Sequence, residues 1–357
     1  MAEKILQMFF DIERWTKAIE KGVGKDIRKD QLIRLTDEHT RRLCLPLVGS
    51  SEPIRQAVPI CIGAGDIHKN LDTLAHVWTA LSNQGATRHS LLINLGGGMV
   101  TDLGGFAAAT FKRGFAYINI PTTLLSMVDA AVGGKTGINF NGLKNEIGAF
   151  APASSVLIDC QFLKTLDRQN LLSGYAEMLK HGLISEEGHW AELMTFDMDH
   201  PDYGKLQQLV GESVQIKERI VAQDPFEQGI RKALNLGHTI GHAFESFALE
   251  REAPVLHGYA VAWGMVCELY LAHQKTGFPT DKMRQTVQFI KENYGKLAFN
   301  CRDYDRLYEF MKHDKKNAAA GMINFTLLGG IGDIRINQTA TKEEINEALD
   351  FYCETMG

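Results

Sequence analysis

Three consecutive glycines, Gly96-Gly97-Gly98, separate an apolar run from an alanine-rich segment. The apolar run, Ser90-Leu-Leu-Ile-Asn-Leu95, has the length and residue types of a buried strand, and Met99 to Thr110 predicts a helix. Strand, glycine turn and helix together offer bare backbone N–H groups and a helix N-terminus to a phosphate. Glycine would permit the torsions of such a turn and leave no Cβ in a ligand's way. The spacing departs from G-x-G-x-x-G, so the stretch by itself also fits a tight connection with no ligand.

The surrounding chain repeats the alternation. Gln31 to Thr36 and Val58 to Ile62 read as strands, Asn70 to Ser82 as a helix with Leu71, Leu74, Trp78 and Leu81 on one side. Tyr117 to Ile120 and Ser155 to Asp159 follow as further strands. This pattern predicts an α/β, Rossmann-like N-terminal domain, residues 1–165, with a largely parallel sheet. Beyond it helical periodicity dominates, as in Ser173 to Ile184, Leu206 to Gln223, Asn235 to Leu249 and Ala260 to Gln274. A late hairpin over Met322 to Ile336 and a capping box at Thr341-Lys-Glu-Glu344 complete a mainly α-helical C-terminal domain, residues 166–357.

A net charge of −5 gives no electrostatic reason to expect nucleic acid or an anionic membrane surface, so an anionic ligand must find its positive charge locally. The six cysteines lack C-x-x-C pairs, which suits reduced thiols in a cytoplasm. No signal peptide is expected, and no apolar run has membrane-spanning length.

Chemistry-bearing residues fall into two groups. In the first half, Thr122 and Thr123 end a strand, and Asp129, Lys135, Lys144 and Asn145 follow among glycines. Lysines interleaved with glycine and asparagine suit a phosphate or carboxylate, although a solvated loop also explains lysines. Asp37, at another strand end, could meet a ribose hydroxyl or simply cap a helix. In the second half Glu177 and Lys180 share a helix face, and His238 and His242 lie one turn apart. His257, at the mouth of another helix, is a third imidazole. Imidazoles plus a carboxylate suit Zn²⁺, with a position left open for substrate. Spacing alone leaves undecided which two of the three histidines hold a metal.

These runs, from Gly96 to Asn145, then Gly174 to Lys180, Arg231 to Glu245 and His257-Gly258, closely resemble the 3-dehydroquinate synthase family, in order and in spacing, from about Asp37 to Lys316. The resemblance implies a dehydroquinate synthase-like fold, bound NAD⁺ and one divalent metal, zinc or alternatively cobalt. It implies conversion of 3-deoxy-D-arabino-heptulosonate 7-phosphate to 3-dehydroquinate and phosphate in the shikimate pathway, through transient oxidation, phosphate elimination, re-reduction, ring opening and aldol closure. The family's metal ligands fall on Glu177, His238 and His257, which makes His242 a phosphate contact. Asp66, Lys69, Gly97, Gly98, Asp102, Thr122 and Thr123 fall on NAD positions, and Asp129 on the junction of nicotinamide and substrate. Lys135, Asn145, Asn235, His242 and Lys315 or Lys316 would hold phosphate, and Lys217 and Arg231 the substrate carboxylate. Lys144 and Lys180 would lie near the cofactor and the reacting hydroxyls. Arg113 matches an arginine that enters a neighbouring subunit's site, which implies a homodimer. The chain departs from the family at Asp66, often Glu, and at Tyr259, commonly an acid.

Overall fold

The structure is a computed structural model that describes residues 7–8, 32–312 and 323–357. Two compact units emerge. The first comprises residues 1–167 with Tyr203–Gln207, the second Arg168–Asp202 with Gln208–Gly357.

The first unit is built on a six-stranded sheet, every pairing of which is parallel. Its strands are β1 (Gln7–Met8), β2 (Leu32–Asp37), β3 (Val58–Ile62), β4 (Leu91–Gly96), β5 (Ala116–Pro121) and β8 (Ser155–Ile158), in the order β1-β8-β5-β4-β2-β3. The chain runs outward from β2 to the edge at β3, returns to β4, then continues the other way. Between β2 and β4 the order therefore reverses, the place where open parallel sheets bind ligands beyond their strand ends. All six residues of β4 are buried, as a strand covered on both faces requires. Two short helices, α1 (Glu38–Leu43) and α2 (Glu52–Gln56), lie between β2 and β3. Helix α3 (Leu71–Asn83) buries Leu74, Val77 and Leu81 and leaves Leu71 exposed, so its inward stripe includes Val77 where the sequence suggested Leu71.

After α4 (Gly98–Thr110), the stretch of lysines among glycine and asparagine, which a solvated loop would also explain, forms an antiparallel hairpin, β6 (Lys135–Phe140) with β7 (Leu143–Phe150). Thr136 to Ile138 are buried, and β6 packs on α4.

The second unit contains α5 (Arg168–Leu183), α6 (Glu187–Met194), most of α7 (Tyr203–Gln223), α8 (His238–Glu250), α9 (His257–Thr276), α10 (Thr280–Tyr294), α11 (Tyr304–Lys312) and α12 (Lys342–Met356), with the hairpin β9 (Ile323–Gly330) and β10 (Asp333–Ala340). Helix α9 is buried almost all round from Ala260 to Ala272, as a central helix must be. It packs against α5, α8, α10, α12 and β9. The capping box at Thr341 opens α12, where Oε2 of Glu344 accepts from Thr341 N at 2.7 Å.

Candidate active site

In the first unit the glycine stretch links β4 to α4 at the reversal of strand order. Gly97 sits at φ −72°, and Gly96–Gly98 avoid positive φ, so torsional freedom does not explain these glycines. Proximity does. A Cβ on Gly96 would lie 2.5 Å from the Val100 side chain, and one on Gly97 would lie 3.0 Å from Cγ2 of Thr123. No side chain caps the N-terminus of α4, which leaves backbone donors there for an anion.

Around this turn the predicted residues gather. Lys69 is buried, and its Nζ donates to Oδ2 of Asp102 at 2.5 Å and to Oδ1 of Asn145. Asn139, not singled out from sequence, is their hub. Its N donates to Lys69 O at 2.8 Å, its Nδ2 to Oδ2 of Asp66 at 3.0 Å, and its Oδ1 accepts from Asn145 N at 3.0 Å. Lys144 stands 3.9 Å from the Asp66 carboxylate. Thr122 is buried at the end of β5, and the Thr123 hydroxyl bonds Ser126 Oγ at 2.9 Å, opening the turn that leads to Asp129. That turn, Ser126–Ala130, is a π-helix, a distortion that recurs at functional sites. Asp37 caps α1, its Oδ1 accepting from Thr40 N at 2.7 Å. Lys135 is exposed at the start of β6. Arg113 is exposed beside Lys112, the two with φ of 68° and 49°.

In the second unit three helices bring one donor each to a common point. Glu177, on α5, is fully buried, as is Lys180 one turn on, which pairs with its Oε2. Oε1 of Glu177 has no hydrogen-bond partner among the described residues and faces two imidazoles, with His238 Nε2 at 3.4 Å and His257 Nε2 at 3.5 Å. Donors bound to one tetrahedral zinc at about 2.0–2.1 Å stand about 3.4 Å apart, so these residues fit a metal. Each imidazole has its other nitrogen engaged, Nδ1 of His238 by Leu236 O at 3.1 Å and Nδ1 of His257 by Oε2 of Glu245 at 3.4 Å. With a metal bound, those acceptors would hold the ring proton on Nδ1 and leave the Nε2 lone pairs facing inward. Burial would raise the Glu177 pKa, but Lys180 and then His238 hold it well below the usual carboxylate range. For His257 burial opposes the charge, yet in the metal-free protein the facing carboxylates of Glu177 and Glu245 push the pKa up to about 10. His242 is not one of the three, and its ring centroid lies 5.4 Å from that of His238 and 5.9 Å from that of His257.

Two further predicted cations of this unit, Lys217 and Arg231, are buried. Lys217 is on α7, and Arg231 lies in the 3₁₀ turn Ile230–Asn235. A carboxylate loop holds that turn, with Oδ2 of Asp224 accepting from Gly229 N at 2.7 Å and Arg231 N at 3.1 Å. Nη1 of Arg231 donates to Pro225 O, and Nδ2 of Asn235 to Oε1 of Glu227 at 2.9 Å. Lys315 and Lys316 lie outside the described residues.

Models of the 3-dehydroquinate synthase N-terminal and C-terminal domains match residues 59–173 and 174–317. The chain belongs to the 3-dehydroquinate synthase family. It is 60% identical to the 3-dehydroquinate synthase of Parabacteroides distasonis over 93% of this chain and 94% of that one. Among solved structures, a 2-epi-5-epi-valiolone synthase from Streptomyces hygroscopicus, with NAD⁺ and Zn²⁺ bound, is 25% identical with a TM-score of 0.83, over 99% of this chain and 97% of that one. A 2-deoxy-scyllo-inosose synthase, 22% identical with a TM-score of 0.79 over 93% of this chain and 94% of that one, shares the fold.

Tyr259, where the resemblance leads one to expect a departure from the family, has aromatic neighbours. Its ring meets Tyr294 edge-on at 5.2 Å and Trp263 at 5.9 Å. The acid beside His257 is Glu245, from α8. Glu227, Asp224 and Glu245 carry no signal in the sequence that separates them from solvated carboxylates. Only the fold shows which backbone and side-chain donors they meet.

Proposed function

We propose that this protein acts as a 3-dehydroquinate synthase, converting 3-deoxy-D-arabino-heptulosonate 7-phosphate to 3-dehydroquinate and phosphate, with NAD⁺ and one divalent metal, zinc or cobalt, as cofactors. The observation that carries this reading is the buried, otherwise unpartnered Oε1 of Glu177 facing the Nε2 atoms of His238 and His257 at metal-ligand spacing. The 60% identity to a curated 3-dehydroquinate synthase supports it and favours it over the valiolone and inosose cyclases, whose likeness is 25% or less.

When bound, the metal supplies Lewis acidity to substrate hydroxyls and NAD⁺ accepts and returns a hydride. The protein's own residues position and neutralise. The uncapped N-terminus of α4, with Gly97 and Gly98 at its start, would receive the pyrophosphate, and Asp102, Lys69, Asp66, Thr122, Thr123 and Asp37 would hold the rest of the cofactor. Arg231 and Lys217 hold the substrate carboxylate by charge-assisted hydrogen bonds, and Lys135, Asn145, Asn235 and His242 its phosphate, joined by Lys315 or Lys316. Asp129, Lys144 and Lys180 act beside the reacting carbons and hydroxyls. Arg113 reaches the site of a second copy, so the working form is a homodimer. The protein works in the cytoplasm.

The test is phosphate release from the named substrate. Release that requires NAD⁺, stops with a chelator and leaves no net NADH absorbance is expected. Undiminished release after thorough metal removal would overturn the metal assignment.

A further inference from the structure

The structure contains a second buried carboxylate that bears on the metal ligands from one step further out. Glu268, on α9, is fully buried. Its Oε2 accepts from Gly237 N at 2.6 Å and its Oε1 from Ile240 N at 3.0 Å. Gly237 is the residue at which α8 starts, and having no side chain it cannot cap that helix itself. Glu268 caps it from the neighbouring helix. Burying a carboxylate is costly unless its oxygens are satisfied, and an apolar side chain would fill the α8–α9 contact at lower cost.

The position of the first of these bonds is what matters. Gly237 N–H and Leu236 C=O are the two ends of one peptide group. The N–H end donates to Glu268, and the C=O end accepts from Nδ1 of His238, whose Nε2 faces Glu177. A carboxylate that draws on the N–H of a peptide makes its carbonyl oxygen a stronger acceptor, because hydrogen bonds in series polarise one another. A stronger acceptor at Nδ1–H fixes the ring and raises the basicity of Nε2. Glu268 also holds Gly237 in its left-handed backbone, φ 80°, and so sets where that carbonyl points.

We propose that Glu268 is a positioning residue for His238, acting through the Leu236–Gly237 peptide. Both histidines of the cluster are then backed by a buried carboxylate, His257 by Glu245 directly and His238 by Glu268 through one peptide group. The inference rests on the metal reading of Glu177, His238 and His257.

The test is metal affinity of the purified full-length protein, by competition with a chromophoric chelator for Zn²⁺ and by the visible spectrum of the Co²⁺ form. Glu268→Gln keeps the shape but removes the charge and one of two acceptors, since its oxygen can serve only one of the Gly237 and Ile240 N–H groups and its NH₂ none. It should weaken metal binding about tenfold or more and shift the Co²⁺ bands, with NAD⁺ affinity unchanged. A variant that melts earlier yet keeps wild-type metal affinity and Co²⁺ bands would show a helix cap and nothing more, and would overturn the proposal. Glu177→Ala and His238→Ala serve as controls in the same assay. If they bind metal as tightly as wild type, the metal reading itself fails, an outcome with its own signature. Should Glu268→Gln not fold, the wild-type protein still decides. Its Gly237 amide resonance should move when metal is added, and an amide that stays in place overturns the relay.

Discussion

Glu177 divides its two oxygens between a lysine and a pair of imidazoles, and the division makes it hard to replace. In Glu177→Gln the buried ammonium of Lys180 loses its countercharge, and breaking a buried pair from one side typically costs about 3–5 kcal/mol. Urea unfolding of the chelator-treated protein should show a loss of that size, and a change under about 1 kcal/mol would mean that Lys180 is held by other groups. Arg231 answers a different question. Arg231→Ala should raise the KM for the phosphosugar at least about tenfold while leaving the Kd of NAD⁺ within about twofold, since one charge-assisted contact is worth about 1.5–3 kcal/mol. Parallel losses in both would place Arg231 elsewhere than on the substrate. At this scale residue type marked the three histidines and Glu177 as candidate ligands, whereas Lys69 and Asp102 were reached only through the family resemblance. The sequence was silent on Glu245 and Glu268, because a glutamate within a helix reads the same whether it meets water or a buried amide. Burial is decided by a neighbouring helix that is distant in the sequence.

Among elements, the crossings of α5, α8 and α9 set the distances within the metal cluster, and glycines set the crossings. A Cβ on Gly258 would lie 1.8 Å from Ser173 O, and one on Gly264 would lie 2.1 Å from Gly237 O. Gly258→Ala should therefore force α9, with His257 at its start, away from α5, which carries Glu177. The expected readouts are a lower melting temperature and metal affinity weakened in the same variant, and wild-type metal affinity would show that α9 can shift without moving His257. A separate element, α6, carries a pH dependence. Burial lowers the pKa of His189 below its usual 6.5, although Glu212, 2.8 Å from Nδ1, works the other way. The folded state keeps this imidazole neutral where the unfolded chain would protonate it, so its contribution to stability is present above pH 6.5 and lost as pH falls. Melting temperatures should drop between pH 7.5 and 5, and His189→Gln should flatten that fall by a few degrees, about 2–4 °C for each kcal/mol removed. Most strands and helices were legible because periodicity records which face is buried. The β6–β7 hairpin was not, since its glycines, lysines and asparagines resemble a loop and its buried side, Thr136 to Ile138, is short. The π-turn at Asp129 was equally hidden, for one extra residue in a turn leaves no trace in composition.

For the whole molecule the open matter is assembly. Phe140, Leu143, Ile147 and Phe150 are exposed on the β6–β7 hairpin, and Lys112 and Arg113 stand in left-handed backbone on an exposed turn of the same unit. If Arg113 serves a partner's site, Arg113→Ala and His257→Ala proteins, each inactive alone, should recover about a quarter of wild-type activity after subunit exchange, because half the dimers are mixed and each mixed dimer has one complete site. No recovery, with exchange verified by a mass tag, would keep Arg113 in its own subunit. Among the described residues no helix is long and apolar enough to cross a membrane. The burial of α9 has one more consequence. The helix that presents His257 is also the one on which four other helices and a strand of its unit rest, so an imidazole cannot drift there without unpacking its neighbours. On the metal reading of His257, a substitution in this helix would have to satisfy two demands at the same positions, one from folding and one from the metal.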